Sequence, residues 1–133
     1  MTHQILLPPG WPRPPGYSNG IAAEGRMVFV AGQIGWDESQ VFRTQSMAGQ
    51  IGQTLKNTVA VLAEAGAEPR HVVRMTWYIT SRAEYLEEIK EIGSVWREVM
   101  GKNYPAMAVV QVSALIESAA RVEIETTAVV PID

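Results

Sequence analysis

Residues 121–130 read Arg-Val-Glu-Ile-Glu-Thr-Thr-Ala-Val-Val, and their alternation decides how this chain folds. Side chains on a strand point to opposite faces in turn, so Val122, Ile124 and the small residues that follow at the same spacing share one face. The other face carries Glu123 and Glu125. The segment is therefore predicted to be a strand with one face under helices and a polar opposite face.

The two carboxylates on that polar face need an explanation. A buried carboxylate is costly unless it is paired, hydrogen-bonded or functional. An ion pair with Arg121 or Arg74 would make Glu123 structural, whereas a Glu123 that faces a cleft would serve as an acid or base. The residues alone leave both alternatives open.

The elements upstream of this strand complete one mixed sheet. Each strand–helix–strand unit should be a right-handed crossover between parallel strands, which places both helices on the same face. The predicted class is α/β (α+β), in a single domain over residues 1–133. Periodicity and β-branched content predict strands at 26–33, 72–80, 106–115 and 121–130, and helices at 44–65 and 83–100.

Local signals mark where these elements begin and end. Thr44 or Ser46 is predicted to cap the first helix, and Gly66 to follow its C-terminus in the left-handed conformation. Five prolines between residues 8 and 15 predict an extended loop, because proline fixes φ and removes a hydrogen-bond donor.

The sheet face that points away from the helices has no cover in this chain. The strand at 26–33 is apolar on both faces, as expected for a strand buried on two sides. An apolar face of this kind has to be covered, and self-association is the most economical cover. We therefore expect a homo-oligomer.

Size and charge limit the class of partner. The 133 residues are 47% hydrophobic and 19% charged, which excludes a disordered tail. The formal net charge of −3 argues against a nucleic-acid partner, which would require clustered basic residues. No segment resembles a signal peptide or a membrane span, so a cytoplasmic protein without a membrane partner is expected.

Few residues are available for cofactor or metal chemistry. The chain has no cysteine and two histidines, which excludes a thiolate nucleophile and a cysteine-rich zinc site. His71 is predicted to lie on the surface rather than to act as a base. No dinucleotide- or phosphate-binding glycine motif occurs, and no cofactor or metal is expected.

The four tryptophans fall into two groups. Trp77 and Trp96 lie in predicted regular elements and are expected in the core. Trp11 and Trp36 lie in predicted loops, where an exposed aromatic ring often lines a site or an interface.

Five short motifs, in this order and spacing, resemble the RidA (YjgF) family of reactive-intermediate deaminases. The resemblance covers the chain from residue 15 to residue 131 and implies a chorismate-mutase-like α/β fold. It also implies a homotrimer with three clefts between subunits. The motifs are Pro-Gly-Tyr-Ser at 15–18, Val-Ala-Gly-Gln at 30–33, Gln-Thr-Leu-Lys-Asn at 53–57, Tyr-Pro-Ala at 104–106 and Val-Glu-Ile-Glu at 122–125.

The resemblance also assigns roles to individual positions. Deaminating members hydrolyse enamines and imines of small molecules in these clefts and release ammonia. By position, Glu123 corresponds to the glutamate that orients the attacking water, and Tyr17 to the tyrosine that closes the pocket. Gly32 corresponds to a backbone donor to the substrate.

Three positions depart from the family pattern. Met107 stands where an arginine grips the substrate carboxylate, Val109 where a cysteine lies, and Ala31 where a serine lies. The helix asparagine of many members has no counterpart near Ile92 and Gly93. Methionine cannot replace a bidentate arginine contact, whose loss costs on the order of 2–5 kcal/mol in a desolvated pocket. The wild type is therefore expected to be a poor catalyst of 2-aminoacrylate hydrolysis.

Two hypotheses follow from different classes of function. The first is a hydrolase or deaminase for an imine, enamine or related compound. In it, Glu123 is the base, Tyr17 orients the substrate, and Ala31, Gly32, Met107 and Val109 line the pocket. The second is a non-catalytic trimer whose clefts bind a metabolite or a protein. Endoribonuclease, another label given to the family, is the least favoured because of the net charge.

Overall fold

The structure, a computed structural model that describes residues 2–132, contains a small sheet, a main sheet and three helices. A 3₁₀ turn at Pro69–His71 precedes the fourth strand. The strands are β1 (Gln4–Leu6), β2 (Gly20–Ala22), β3 (Arg26–Ile34), β4 (Val72–Ile79), β5 (Ala106–Gln111) and β6 (Val122–Val130), and the helices are α1 (Met47–Glu64), α2 (Arg82–Glu87) and α3 (Ile89–Met100).

The main sheet is mixed, as predicted, and its strand order is β3-β6-β4-β5. Strand β6 lies between β3 and β4 and is antiparallel to both, whereas β4 and β5 are parallel neighbours. Strands β1 and β2 form a separate antiparallel pair that the sequence did not predict. Residues 8–15 between them contain neither helix nor strand, which confirms the predicted loop.

One face of the main sheet carries the core, and the alternation of β6 is confirmed. Val122, Ile124 and Ala128 are fully buried under the helices. Helix α1 contributes Ile51 and Leu55, also fully buried, to the same cluster. Burying side chains of this size contributes roughly 1.5–3 kcal/mol each, so this face holds the monomer together.

The ends of α1 follow the predicted local chemistry. The hydroxyl of Ser46 accepts a hydrogen bond from the Gly49 amide at 3.0 Å and caps the helix. Helix α1 therefore begins three residues later than residue 44, where the prediction placed its start. Gly66 follows the last turn with a φ of 69°, which glycine adopts without strain.

The predicted helix at 83–100 is wrong as a single element, because it breaks at Glu88 into α2 and α3. The Glu88 carboxylate accepts a hydrogen bond from the Ala48 amide, 3.1 Å away, in the first turn of α1. Amides in the first turn of a helix lack intrahelical partners and attract negative charge. This long-range contact accompanies the break. Strand β5 also ends at Gln111 rather than at 115.

The opposite face of the sheet has large apolar side chains in the open. Phe29 and Met27 on β3 are 71% and 57% exposed. None of the three helices packs there, since all of them contribute to the core side.

Within residues 2–132, no helix is both long and apolar enough to cross a membrane.

Candidate functional site

A cleft of about 490 Å³ opens between the main sheet and α3, beside the edge strand β5. We call it the aromatic cleft, because five of its residues are tyrosine or tryptophan. Arg97 is the charged side chain among its lining residues. The lining residues are Pro15, Gly16, Tyr17, Trp77, Tyr85, Ile89, Ile92, Gly93, Trp96, Arg97, Tyr104, Met107 and Val109.

Four of the aromatic rings form a continuous wall. Trp77 lies edge-on to Tyr85 at 6.5 Å and 5.9 Å from Trp96, which stacks on Tyr104 at 6.2 Å. These separations lie within the range of favourable aromatic pairs. Both indole N–H groups are buried and have no hydrogen-bond partner among residues 2–132. The expectation that Trp77 and Trp96 are buried is confirmed, but the prediction missed their place beside a cleft.

Tyr17 reaches the cleft because its neighbour pairs with the start of β5. The Ser18 amide donates to the Pro105 carbonyl at 2.9 Å, and the Ser18 hydroxyl donates to the Tyr104 carbonyl. These bonds attach the proline-rich loop to the sheet edge. Tyr17 therefore stands at the mouth of the cleft, 39% exposed, beside Met107.

Glu123 lies on the other side of the sheet, packed on Gly32. An ideal Cβ built at Gly32 would lie 2.8 Å from the Glu123 Cδ atom, so a larger residue there would force the Glu123 carboxylate to move. Ala31 and Gly32 together face the single residue Glu125 of β6, which makes a β-bulge. The interior glycine of this strand was the sequence signal for that bulge.

The ion pair considered for Glu123 does not occur within the chain. Arg121 donates to Glu84 at 3.0 Å, and none of the salt bridges in the described part of the chain involves Glu123 or Arg74. Glu125 accepts a 2.8 Å hydrogen bond from the Tyr78 hydroxyl. That bond is the main reason why the pKa of Tyr78 is raised above its usual 10.

The predicted site residues therefore form two groups on opposite faces of the sheet. Tyr17, Met107 and Val109 line the aromatic cleft on the helix side. Ala31, Gly32 and Glu123 lie on the exposed face. A single chain does not bring the two groups together.

His71 is buried, so its predicted place on the surface is wrong. It is 3% exposed, and its Nδ1 accepts a 2.9 Å hydrogen bond from the Glu68 amide. Burial, followed by the nearby Arg70 charge, lowers the pKa of His71 from 6.5. The ring closes the 3₁₀ turn before β4 and lies outside both groups of site residues.

The two loop tryptophans also differ from each other. Trp11 is 58% exposed, whereas Trp36 is half-buried and packs on Phe42 with ring centroids 5.7 Å apart. Neither ring lines the aromatic cleft.

No group of three or more histidine, aspartate or glutamate side chains that could hold a metal ion occurs within residues 2–132.

Comparisons with known proteins place this geometry in context. The family profile described as endoribonuclease L-PSP matches residues 13–130. A RutC family protein of Pyrococcus abyssi is 32% identical over 86% of this chain and 88% of its own length. The human 2-iminobutanoate/2-iminopropanoate deaminase is 29% identical over 85% of this chain and 79% of its own. The solved structure of YyfB, a conserved Rid-family protein of Yersinia pestis, has a TM-score of 0.83 and 28% identity, covering 98% of this chain and 100% of that chain.

Proposed function

This chain belongs to the RidA (YjgF) family, and on that premise we propose that it hydrolyses the C=N bond of a small imine, or of an enamine through its imine form. Relatives in the family carry the name 2-iminobutanoate/2-iminopropanoate deaminase. The observation that carries the proposal is the packing of Glu123 on Gly32, with no ion pair from the rest of residues 2–132 to make the carboxylate structural.

The proposed site is completed by a second copy of the chain. Met107 and Glu123 lie on opposite faces of one sheet, so a substrate that touches both must sit between two subunits. The exposed face of β3 supports this arrangement, because a second subunit there would bury the apolar side chains of Phe29 and Met27. We place the chain in a homotrimer whose clefts join the aromatic cleft of one copy to the Glu123 face of the next.

The proposed reaction needs water and one proton-transfer residue. The Glu123 carboxylate accepts a proton from a water molecule while the water oxygen forms a bond to the imine carbon. The C=N electron pair moves to nitrogen, which takes up a proton. Collapse of the resulting amino alcohol breaks the C–N bond and gives ammonia and a carbonyl compound.

Other residues orient the substrate in this proposal. Tyr17 covers the mouth of the cleft, and the backbone at Gly32 and Val109 contacts the polar atoms of the substrate. Ala31, Met107 and Val109 make the surroundings of the reacting carbon apolar. The lower polarity would strengthen electrostatic interactions with the reacting groups.

The test is ammonia release from imines generated in the assay by an amino acid oxidase acting on a panel of amino acids. We expect the protein to accelerate ammonia release from at least one imine beyond spontaneous hydrolysis. Light scattering should at the same time give the mass of three chains. A protein that leaves every rate at its spontaneous value would contradict the proposal.

A second function is favoured by one observation, the methionine at position 107. Without the carboxylate grip of the family, the trimer would bind a metabolite or protein and not turn it over. A protein that binds a ligand but leaves imine hydrolysis at its spontaneous rate would support this alternative.

A further inference from the structure

Arg97 occupies the mouth of the same cleft from which the family's arginine is missing. Helix α3 carries it, and it lines the aromatic cleft together with Met107. Arg97 is exposed, and none of the salt bridges within residues 2–132 uses it. Its contact in the chain is a long 3.4 Å bond to the Ser94 hydroxyl, which leaves most of its donors for a ligand.

Gly93 gives the guanidinium its place. An ideal Cβ built at Gly93 would lie 3.4 Å from the Arg97 Nη1 atom, closer than most side-chain contacts. Residues four apart on a helix lie one above the other, so Arg97 folds back over the glycine toward the cleft. The glycine thus leaves room for the guanidinium to lie along the helix surface beside the cleft.

The wall of the cleft indicates what else the ligand carries. Trp77 and Trp96 are only 1% and 5% exposed, so they form the back of the cleft wall. A ligand can contact the half-buried rings of Tyr85 and Tyr104 and the flexible thioether of Met107. Burial raises the pKa of Tyr85, so its phenol stays neutral. A three-carbon acid has no apolar group large enough to cover both tyrosine rings.

We propose that Arg97 binds the carboxylate of a 2-imino acid with an aromatic side chain, whose ring lies against the aromatic wall. Arg97 on α3 would thereby make the carboxylate contact that the resemblance assigns to an arginine at position 107, and the apolar Met107 would face the ring. This inference rests on the proposed function for the imine, but the carboxylate and ring contacts are independent of turnover.

Binding of the stable 2-oxo acid products tests the proposal without catalysis. Calorimetric titration should show phenylpyruvate binding at least about tenfold more tightly than pyruvate, since its ring adds buried apolar area. Arg97→Gln should weaken phenylpyruvate about tenfold to a hundredfold, the usual effect of losing a charge-assisted contact. Lys90→Gln removes the same charge from an exposed site on α3 outside the cleft and should leave the affinity unchanged.

A ligand without the carboxylate separates the two contacts. Phenylacetone keeps the ring and the ketone, so its affinity should be the same for the wild type and Arg97→Gln. Arg97→Lys should bind phenylpyruvate more tightly than Arg97→Gln but less tightly than the wild type. Lysine keeps the positive charge but lacks the paired N–H donors of the guanidinium.

The outcomes distinguish this inference from the proposed function. Equal phenylpyruvate affinity in the wild type and Arg97→Gln, or no binding at all, would overturn the role of Arg97 even if imines are hydrolysed. Phenylpyruvate binding that depends on Arg97, without any acceleration of ammonia release, would support this inference and contradict the proposed hydrolysis.

Discussion

The two faces of the main sheet differ in whether one chain completes them. On the helix side, Trp77 and Ile124 are almost fully buried, and the aromatic cleft is a gap in a packed layer. On the other side, Phe29 is 71% exposed on the same face as Glu123 and Glu125. The first face holds the fold together, while the second exposes large apolar side chains among charged ones.

The residues of the two faces call for different explanations. Apolar burial on the helix side accounts for stability, and no further role is needed for most residues there. Glu123 makes no ion pair within residues 2–132, so no salt bridge of that part of the chain explains its place on the sheet. The proposed function gives this carboxylate a role between chains.

The largest effect is expected from Glu123→Gln. Glutamine keeps the shape but cannot accept a proton from water, so turnover should fall about 10²–10⁴-fold. Glu125→Gln is the matched control, two residues away on the same face, and should change turnover by no more than a few fold. Ammonia release and melting temperature are measured on the same preparations. A lowered melting temperature with unchanged turnover would return Glu123 to a structural role.

Removing one aromatic ring from each face should give two different defects. Trp96→Ala opens a cavity in the core and should lower the free energy of unfolding by about 3–5 kcal/mol. Phe29→Ala should leave the melting of a dilute monomer nearly unchanged and instead weaken the trimer. Urea unfolding and light scattering over a concentration series measure the two quantities. An equal loss of folding stability in both variants would contradict the claim that only the helix side stabilises the single chain.

Met107→Arg restores the family's residue on the helix side. The new guanidinium should bind the carboxylate of a small acid, so the affinity for pyruvate should rise about tenfold or more. Met107→Leu keeps the position apolar and serves as the control. Calorimetric titration of both variants checks the effect, and no gain in the arginine variant would mean that position 107 does not face the ligand.

The smallest effect concerns two tyrosines, one on each face. The pKa of Tyr78 is raised mainly by its hydrogen bond to Glu125, and that of Tyr85 by burial. Each neutral phenol contributes stability below pH 10, the ordinary tyrosine value, and the contribution is lost as pH rises through the raised pKa. Glu125→Gln should bring the Tyr78 titration back toward 10 and leave Tyr85 unchanged. Ultraviolet titration of the wild type, Glu125→Gln and Tyr78→Phe measures this.

Local patterns predicted the local features of the fold. The alternation of β6, the cap at Ser46 and the turn at Gly66 each depend on a few neighbouring residues, and the structure has all three. The break at Glu88 could not be predicted, because its partner is the distant Ala48 amide. His71 was misplaced for the same reason, since its burial depends on packing rather than on its neighbours in sequence.

The candidate site could be predicted only in part. Strand alternation placed Glu123 on the uncovered face, but its separation from Met107 depends on the strand order, which periodicity does not contain. Arg97 carried one signal, a glycine four residues earlier on the same helix. That spacing gains meaning only once the helix is known to border a cleft.

The central position of β6 has a consequence for how the chain is made. Strands β3 and β4 are synthesised well before the strand that joins them, and both pair with it along their length. A ribosome-bound chain that ends short of β6 can hold β4 against β5 but leaves β3 without its neighbour in the main sheet. Apolar surface on the core side is then exposed until β6 inserts. The main sheet therefore closes late, and until then the exposed apolar surface makes the nascent chain prone to aggregate or to require a chaperone.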